Sequence, residues 1–157
     1  MKYKRINKEL FINNRKKLVK KIDKMSVLIF NSNDVMPTNS DGTMPFIQNS
    51  DLFWLSGIDQ EESVLLLFPD HPDERMQEIL FLKETNDHIA IWEGSKLNKQ
   101  DAFDISGIST VFWLDEMNDI LAEIFLLTNN LYLNKNMHSR SSSLVQSRDD
   151  RFKLMIK

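Results

Sequence analysis

Residues Ser26-Val27-Leu28-Ile29-Phe30 are apolar at every position after the first. A strand with one wet face alternates apolar and polar side chains, so an unbroken run must be covered on both sides and fills the interior of a sheet. The rest of the chain supplies the covering elements. Ahead of this run, Ile6, Leu10, Phe11, Leu18, Ile22 and Met25 recur at helical spacing, which leaves Lys16, Lys17, Lys20, Lys21 and Lys24 on the wet side of an amphipathic helix. Strands are expected at Ser63 to Phe68 and Glu78 to Leu82, joined by the turn Pro69-Asp70-His71-Pro72-Asp73, and at Ile89 to Trp92, and these three read as an antiparallel meander. In the second half, Asn98 caps a short helix that Gly107 ends, and Thr110 to Trp113 is a strand. Asp115 opens a helix carrying Met117, Ile120, Leu121, Ile124 and Phe125, and Leu131 to Leu133 is a last strand. Ser-rich 139–143 leads into an amphipathic segment with Leu144, Val145, Phe152, Met155 and Ile156. A meander followed by strand-helix-strand implies an α/β fold, a mixed β-sheet flanked by helices. No internal repeat is visible in the sequence.

At 157 residues the chain fits one domain, 1–157, with a self-sufficient core. It has no cysteine, which excludes disulfides, thiolate nucleophiles and Cys-ligated metal sites. No apolar run reaches the roughly 18 to 20 residues of a membrane span, and MKYKRINKEL lacks the core of a signal peptide, so no membrane role and a cytoplasmic location are expected. The net charge of -3 is unevenly spread: residues 1–24 hold ten Lys or Arg and two acids, the remainder ten basic and twenty-one acidic residues. An acidic body repels nucleic acid, and the basic residues decorate a helix face, so no nucleic-acid partner is expected. The C-terminal Arg151 to Lys157 breaks off with its apolar pattern still running, as in a piece of a longer protein.

Residues 31–49 form a long polar stretch with little apolar period, the kind of loop in which function resides. Motifs for phosphate loops, dinucleotide binding, zinc proteases and serine hydrolases are missing. His71, His88 and His138 have no acidic partner in helical register and read as exposed. A three-carboxylate magnesium site can be drawn from Asp41, Asp51, Asp59, Glu61 and Glu62, but surface carboxylates are common and Asp59 to Glu62 reads more simply as a turn before a strand. Two aromatic motifs stand out. In Pro45-Phe46-Ile47-Gln48-Asn49-Ser50-Asp51-Leu52-Phe53-Trp54-Leu55-Ser56-Gly57 a polar quartet runs into what reads as an aromatic strand, and in Ile91-Trp92-Glu93-Gly94 an indole precedes a glycine. Their aromatic residues fit a core and an interface equally well.

Together these motifs resemble the N-terminal domain of the aminopeptidase P and prolidase group, the creatinase-type metallopeptidases. Asp41, Gln48, Asn49, Ser50, Asp51, Gly57, Trp92 and Gly94 match the family pattern, and the likeness extends over essentially the whole chain. Two positions depart from it: Ile47 stands where the family often has Arg, and Ser95-Lys96 where many members have two arginines. An apolar Ile cannot clamp a carboxylate.

The resemblance implies a ribonuclease H-like motif and a non-catalytic role within an Xaa-Pro aminopeptidase, a hydrolase that removes the residue ahead of proline. Two divalent metal ions, commonly manganese, would serve that reaction from a C-terminal pita-bread domain absent from this chain, so no catalytic or metal residue is expected here and the isolated chain is expected to be inactive. Expected partners are the chain's own catalytic domain, other copies in a homo-oligomer and proline-containing peptides. By resemblance, Asp41 attracts a substrate ammonium and Trp92 walls the pocket. The residues leave two other classes open. One is a stand-alone binding module using the same loop, and the other a nuclease of ribonuclease H type with carboxylate-bound magnesium.

Overall fold

A computed structural model describes residues 4–86, 88, 91 and 94–134. Its centre is a five-stranded mixed sheet built from β1 (Ser26–Asn31), β2 (Val64–Leu67), β3 (Glu78–Leu82), β4 (Thr110–Trp113) and β5 (Asn130–Leu133), in the order β4-β3-β2-β1-β5. The central strand β2 is antiparallel to both its neighbours, with Leu28 of β1 opposite Leu67 and Leu80 of β3 opposite Leu65, while β4 and β5 add in parallel at the two edges. Each parallel edge strand is reached through a helix, as parallel pairing requires.

The meander is therefore real but differently composed. Among the described strands its third member is β1, and the segment expected at 89–92 lies outside the described residues except for Ile91. β1 and β4 occupy the two outer edges of the β2–β3 pair, which leaves no edge there for another strand. Ile89, Ala90 and Trp92 lie outside the described residues, and Ile91 is exposed with helical backbone. The amphipathic segment expected over 144–156 and His138 also lie outside them.

Both faces of the sheet are covered, as the apolar run in β1 demands. Leu28, Leu65, Leu67, Leu80, Leu82 and Val111 point to one face, where α1 (Lys8–Val19), α2 (Ser50–Ser56) and α3 (Lys99–Ser106) pack. Val27, Ile29, Leu66, Phe68, Ile79 and Phe81 point to the other, closed by Ile120, Leu121 and Ile124 of α4 (Met117–Phe125). The inner strands β2 and β3 are buried almost throughout.

The aromatic segment 52–54 is helical, not a strand. Asn49 accepts from the backbone N–H groups of Asp51 and Leu52, at 3.0 and 3.3 Å, and so caps α2, while Gly57 ends it at φ 73°. Leu52 and Leu55, three apart on one side, are buried, and Trp54 is left half-exposed.

α1 docks against two helix ends that share one construction. Leu55-Ser56-Gly57-Ile58 closes α2 and Ile105-Ser106-Gly107-Ile108 closes α3. In each, the serine Oγ donates back to the carbonyl four residues earlier and accepts from the isoleucine amide two residues on. In each, the glycine is left-handed and a Cβ would strike α1: Phe11 at 2.4 Å from the one on Gly57, Ile12 at 2.6 Å from the one on Gly107. Arg15 lies between them, fully buried, donating from Nη1 to the carbonyls of Leu55 (2.8 Å) and Ser106 (3.1 Å). Its guanidinium thus sits at the negative ends of two helices, and Nη2 is 2.9 Å from Glu78 Oε2 of β3, an ion pair without hydrogen-bond alignment. The basic first helix is consequently not wet on all its charged positions, since Arg15 is a core residue while Leu10 is half-exposed.

Candidate functional site

The long stretch 31–49 folds back on itself. Thr38 N–H donates to the Gly42 carbonyl (2.9 Å), Met44 N–H to Met36 (2.8 Å), and Pro37 bridges Thr43. Asn33 Nδ2 donates to the Ile47 carbonyl at 3.0 Å and closes the base. Asp41 is exposed in the turn at the tip. Val35, Met36, Met44 and Ile47 are exposed along the same loop, which makes an apolar projection with a carboxylate at its end. Ile47, where the pattern expected Arg, turns its side chain to solvent, 76% exposed.

Where this loop returns to the body, the quartet Gln48-Asn49-Ser50-Asp51 has a structural use at each end. Gln48 is buried, with Oε1 accepting from Asn49 N–H (2.7 Å) and Nε2 donating to the Gln60 carbonyl (2.8 Å). Asn49 is the α2 cap and also accepts from Asn134 Nδ2. Asp51 lies in the first turn, where a negative charge favours the helix dipole.

Beside α2 opens a cavity of about 510 Å³, lined among others by Phe11, Phe53, Gln60, Glu61, Lys96 and Leu97. Glu61 and Lys96 form a hydrogen-bonded ion pair with side chains only 22% and 14% exposed. Burial pushes the Glu61 carboxyl up, but the Lys96 ammonium, a backbone hydrogen bond and the nearby Lys83 charge outweigh it and hold the group below its ordinary value of 4.5. Leu97 N–H donates to Gln60 Oε1 at 2.7 Å. Lys96 thus keeps a cation in the motif that often carries two arginines, and this chain gives it a dedicated carboxylate.

Of the two residues singled out from the sequence, the structure places Asp41 at the loop tip, while Trp92 lies outside the described residues. Gly94 takes the left-handed conformation, φ 81°, and faces open space. Among the described residues no three His, Asp or Glu gather as metal ligands. Within the suspected carboxylate group, Glu61 is engaged by Lys96 and Glu62 by Lys83 at 3.1 Å. His71 is not simply exposed: it is half-buried, its Nδ1 accepts from Asp73 N–H, and its ring stands edge-on to Phe68. His88 is exposed. The sequence pattern does not single out the Gln60–Glu61 corner as a site, although a Glu-Glu pair followed by an apolar run and a distant Lys after Trp-x-Gly are there to be paired.

The family model for the aminopeptidase P N-terminal domain matches residues 11–132, from the Phe11 of α1 to the Tyr132 of β5. The chain belongs to this family. Its relatives include the Xaa-Pro aminopeptidase of Haemophilus influenzae, 25% identical over 141 residues, a match covering 90% of this chain and 32% of that enzyme. In fold it is similar to aminopeptidase PepP of Pseudomonas aeruginosa, with a TM-score of 0.75 at 23% identity, covering 97% of this chain and 32% of that one. It is similar also to zinc-substituted Escherichia coli aminopeptidase P in complex with product, with a TM-score of 0.71 at 22% identity, covering 86% of this chain and 30% of the other. The chain thus spans about a third of the length of the relatives it matches. The mixed sheet flanked by helices is the architecture shared with these aminopeptidase P chains. No helix among the described residues is long and apolar enough to cross a membrane.

Proposed function

We propose that this chain is the non-catalytic N-terminal domain, 1–157, of an Xaa-Pro aminopeptidase, and that it supplies walls and subunit contacts around a metal site held by a separate catalytic domain. The observation that carries this reading is the family match over residues 11–132 in a chain that covers only 32% of its Haemophilus relative. The chemistry of that relative's name is then left to the other two thirds. Among the described residues no three carboxylates or histidines gather, and no step is assigned to a metal on them. A divalent pair, manganese in the reading from resemblance, belongs to the catalytic domain, and a zinc-substituted relative supports metal chemistry for the family. A cytoplasmic location and a homo-oligomer complete the proposal.

A dinuclear site polarises any amide, so selection of short peptides with proline in second place needs walls and an anchor for the N-terminus. Asp41, on its exposed tip, is suited to attract a substrate ammonium, and the loop's apolar flanks, Met36 and Met44, suit insertion against a neighbouring surface. Trp92 is assigned the pocket wall. In the natural polypeptide with its catalytic domain, Asp41→Ala and Trp92→Ala should each lower kcat/KM for Xaa-Pro peptides without loss of bound metal. Unchanged kinetics in both variants, or Xaa-Pro cleavage by the purified 157-residue chain with manganese, would overturn the assignment in favour of a binding module or of catalysis within this chain.

A further inference from the structure

The two sequence motifs of this chain, Gln48 to Asp51 and the stretch ending at Gly94, are 43 positions apart when measured from Asp51 to Gly94, yet one corner touches the neighbourhoods of both. Gln60 receives the Gln48 side chain on its carbonyl and offers its own Oε1 to the Leu97 amide. Next to it, Glu61 pairs with Lys96. A continuous polar path therefore runs from the capped end of α2 through Gln48, Gln60 and Glu61 to residues 96 and 97.

Packing beside this path is incomplete. The cavity of about 510 Å³ is lined by Glu61, Ser95, Lys96 and Leu97. A Cβ added to Gly94 would meet no atom within 4 Å, and Ser95 is exposed. A segment seated on a filled core keeps its place by interdigitation. One that spans a void depends on its few directed contacts instead. Leu97 has core contacts of its own, so the directed contacts chiefly fix residues 94–96. Both charges are largely withdrawn from water, where an ion pair holds geometry better than on the surface.

We propose that Gln60 and Glu61 are positioning residues for substrate selection, setting the placement of segment 94–97 relative to the Gln48 loop through Leu97 and Lys96. The proposal rests on the reading that this domain walls a substrate pocket. It assigns no contact with substrate to either residue. The neighbouring pair Glu62–Lys83 is the internal control, since its side chains are 51% and 37% exposed and neither lines the cavity.

The test is made in the natural polypeptide with its catalytic domain and bound metal. Glu61→Gln and Lys96→Met should each raise KM for an Xaa-Pro tripeptide by roughly fivefold with kcat within about twofold, the signature of displaced ground-state and transition-state contacts alike. Exchange of the charges in Glu61→Lys with Lys96→Glu should recover most of that loss, and Glu62→Gln should change neither constant. If the pair variants leave KM unchanged while Trp92→Ala raises it, the positioning role is overturned and the proposed function stands. If Trp92→Ala and Asp41→Ala are also silent, the proposed function falls and takes the positioning role with it. A fall in kcat and metal content together with melting temperature, not repaired by charge exchange, would make the corner a stability element only and overturn the proposal.

Discussion

Two charged groups organise this molecule, and they do so under different conditions. Arg15 is fully buried, bonded to two helix ends and beside Glu78. Glu61 and Lys96 are paired over a cavity, with part of each side chain still in water. Where the surroundings are closed, a charge fixes the fold. Where they are open, the same kind of charge can fix only the placement of a segment. The contrast is between a charge with no exposed surface and a pair that keeps 22% and 14% of its side chains in water.

The largest effect should come from Arg15→Met, which leaves two buried helix-end carbonyls without their charged donor and the partly exposed Glu78 without its partner, and should cost about 2–5 kcal/mol in chemical denaturation. A loss below about 1 kcal/mol would mean that the three helices hold together by apolar contact alone. Next is Gly57→Ala. The left-handed backbone by itself costs about 1–2 kcal/mol with a side chain, and the new Cβ would lie 2.4 Å from the Phe11 ring. Thermal melting of Gly57→Ala beside Gly107→Ala, which meets the more adaptable Ile12 end, should show the former to be worse.

The inner half of this comparison is legible in the sequence in outline, and the rim only in part. Unbroken runs such as 26–30 announce buried strands because no alternation is available to them, and Asn98 and Gly107 announce a helix because cap chemistry is local. The aromatic stretch 52–54 reads as a strand because three bulky residues fit either period. Asn49 at one end and Gly57 at the other decide for a helix, and those signals lie outside the run itself. Arg15 cannot be told from its lysine neighbours by pattern, since its burial depends on carbonyls 40 and 91 positions away. The Glu61–Lys96 pair, 35 positions apart, is hidden for the same reason. The matched Ser-Gly-Ile ends are present in the sequence but too short to register as a repeat until one helix is seen to rest on both.

Two smaller effects sharpen the contrast at the rim. Asn49→Ala removes the α2 cap and should cost about 1 kcal/mol, with recovery of part of it in Asn49→Asp. For Glu61, the folded carboxyl lies below its ordinary value of 4.5, so its contribution to stability is complete above that value and is lost as pH falls through the lowered one. Acid titration of the Leu97 amide exchange rate should therefore show protection failing below pH 4.5 in the unmodified chain, and Glu61→Gln should remove that step. The surface pair should matter least: Glu62→Gln should shift stability by no more than about 0.5 kcal/mol.

The seat of α1 also sets an order of events. Arg15 is bonded to a carbonyl 91 residues further along, so α1 cannot reach its final place until Ser106 has been made. At about 5–20 residues per second that delay is roughly 5 to 20 s on the ribosome. Through that interval the first helix is without its neighbours, and Lys16 and Lys17 at its end, with Lys20, Lys21 and Lys24 just beyond it, lend the segment charge that favours solubility. Arg15 is thus made early and bonded late.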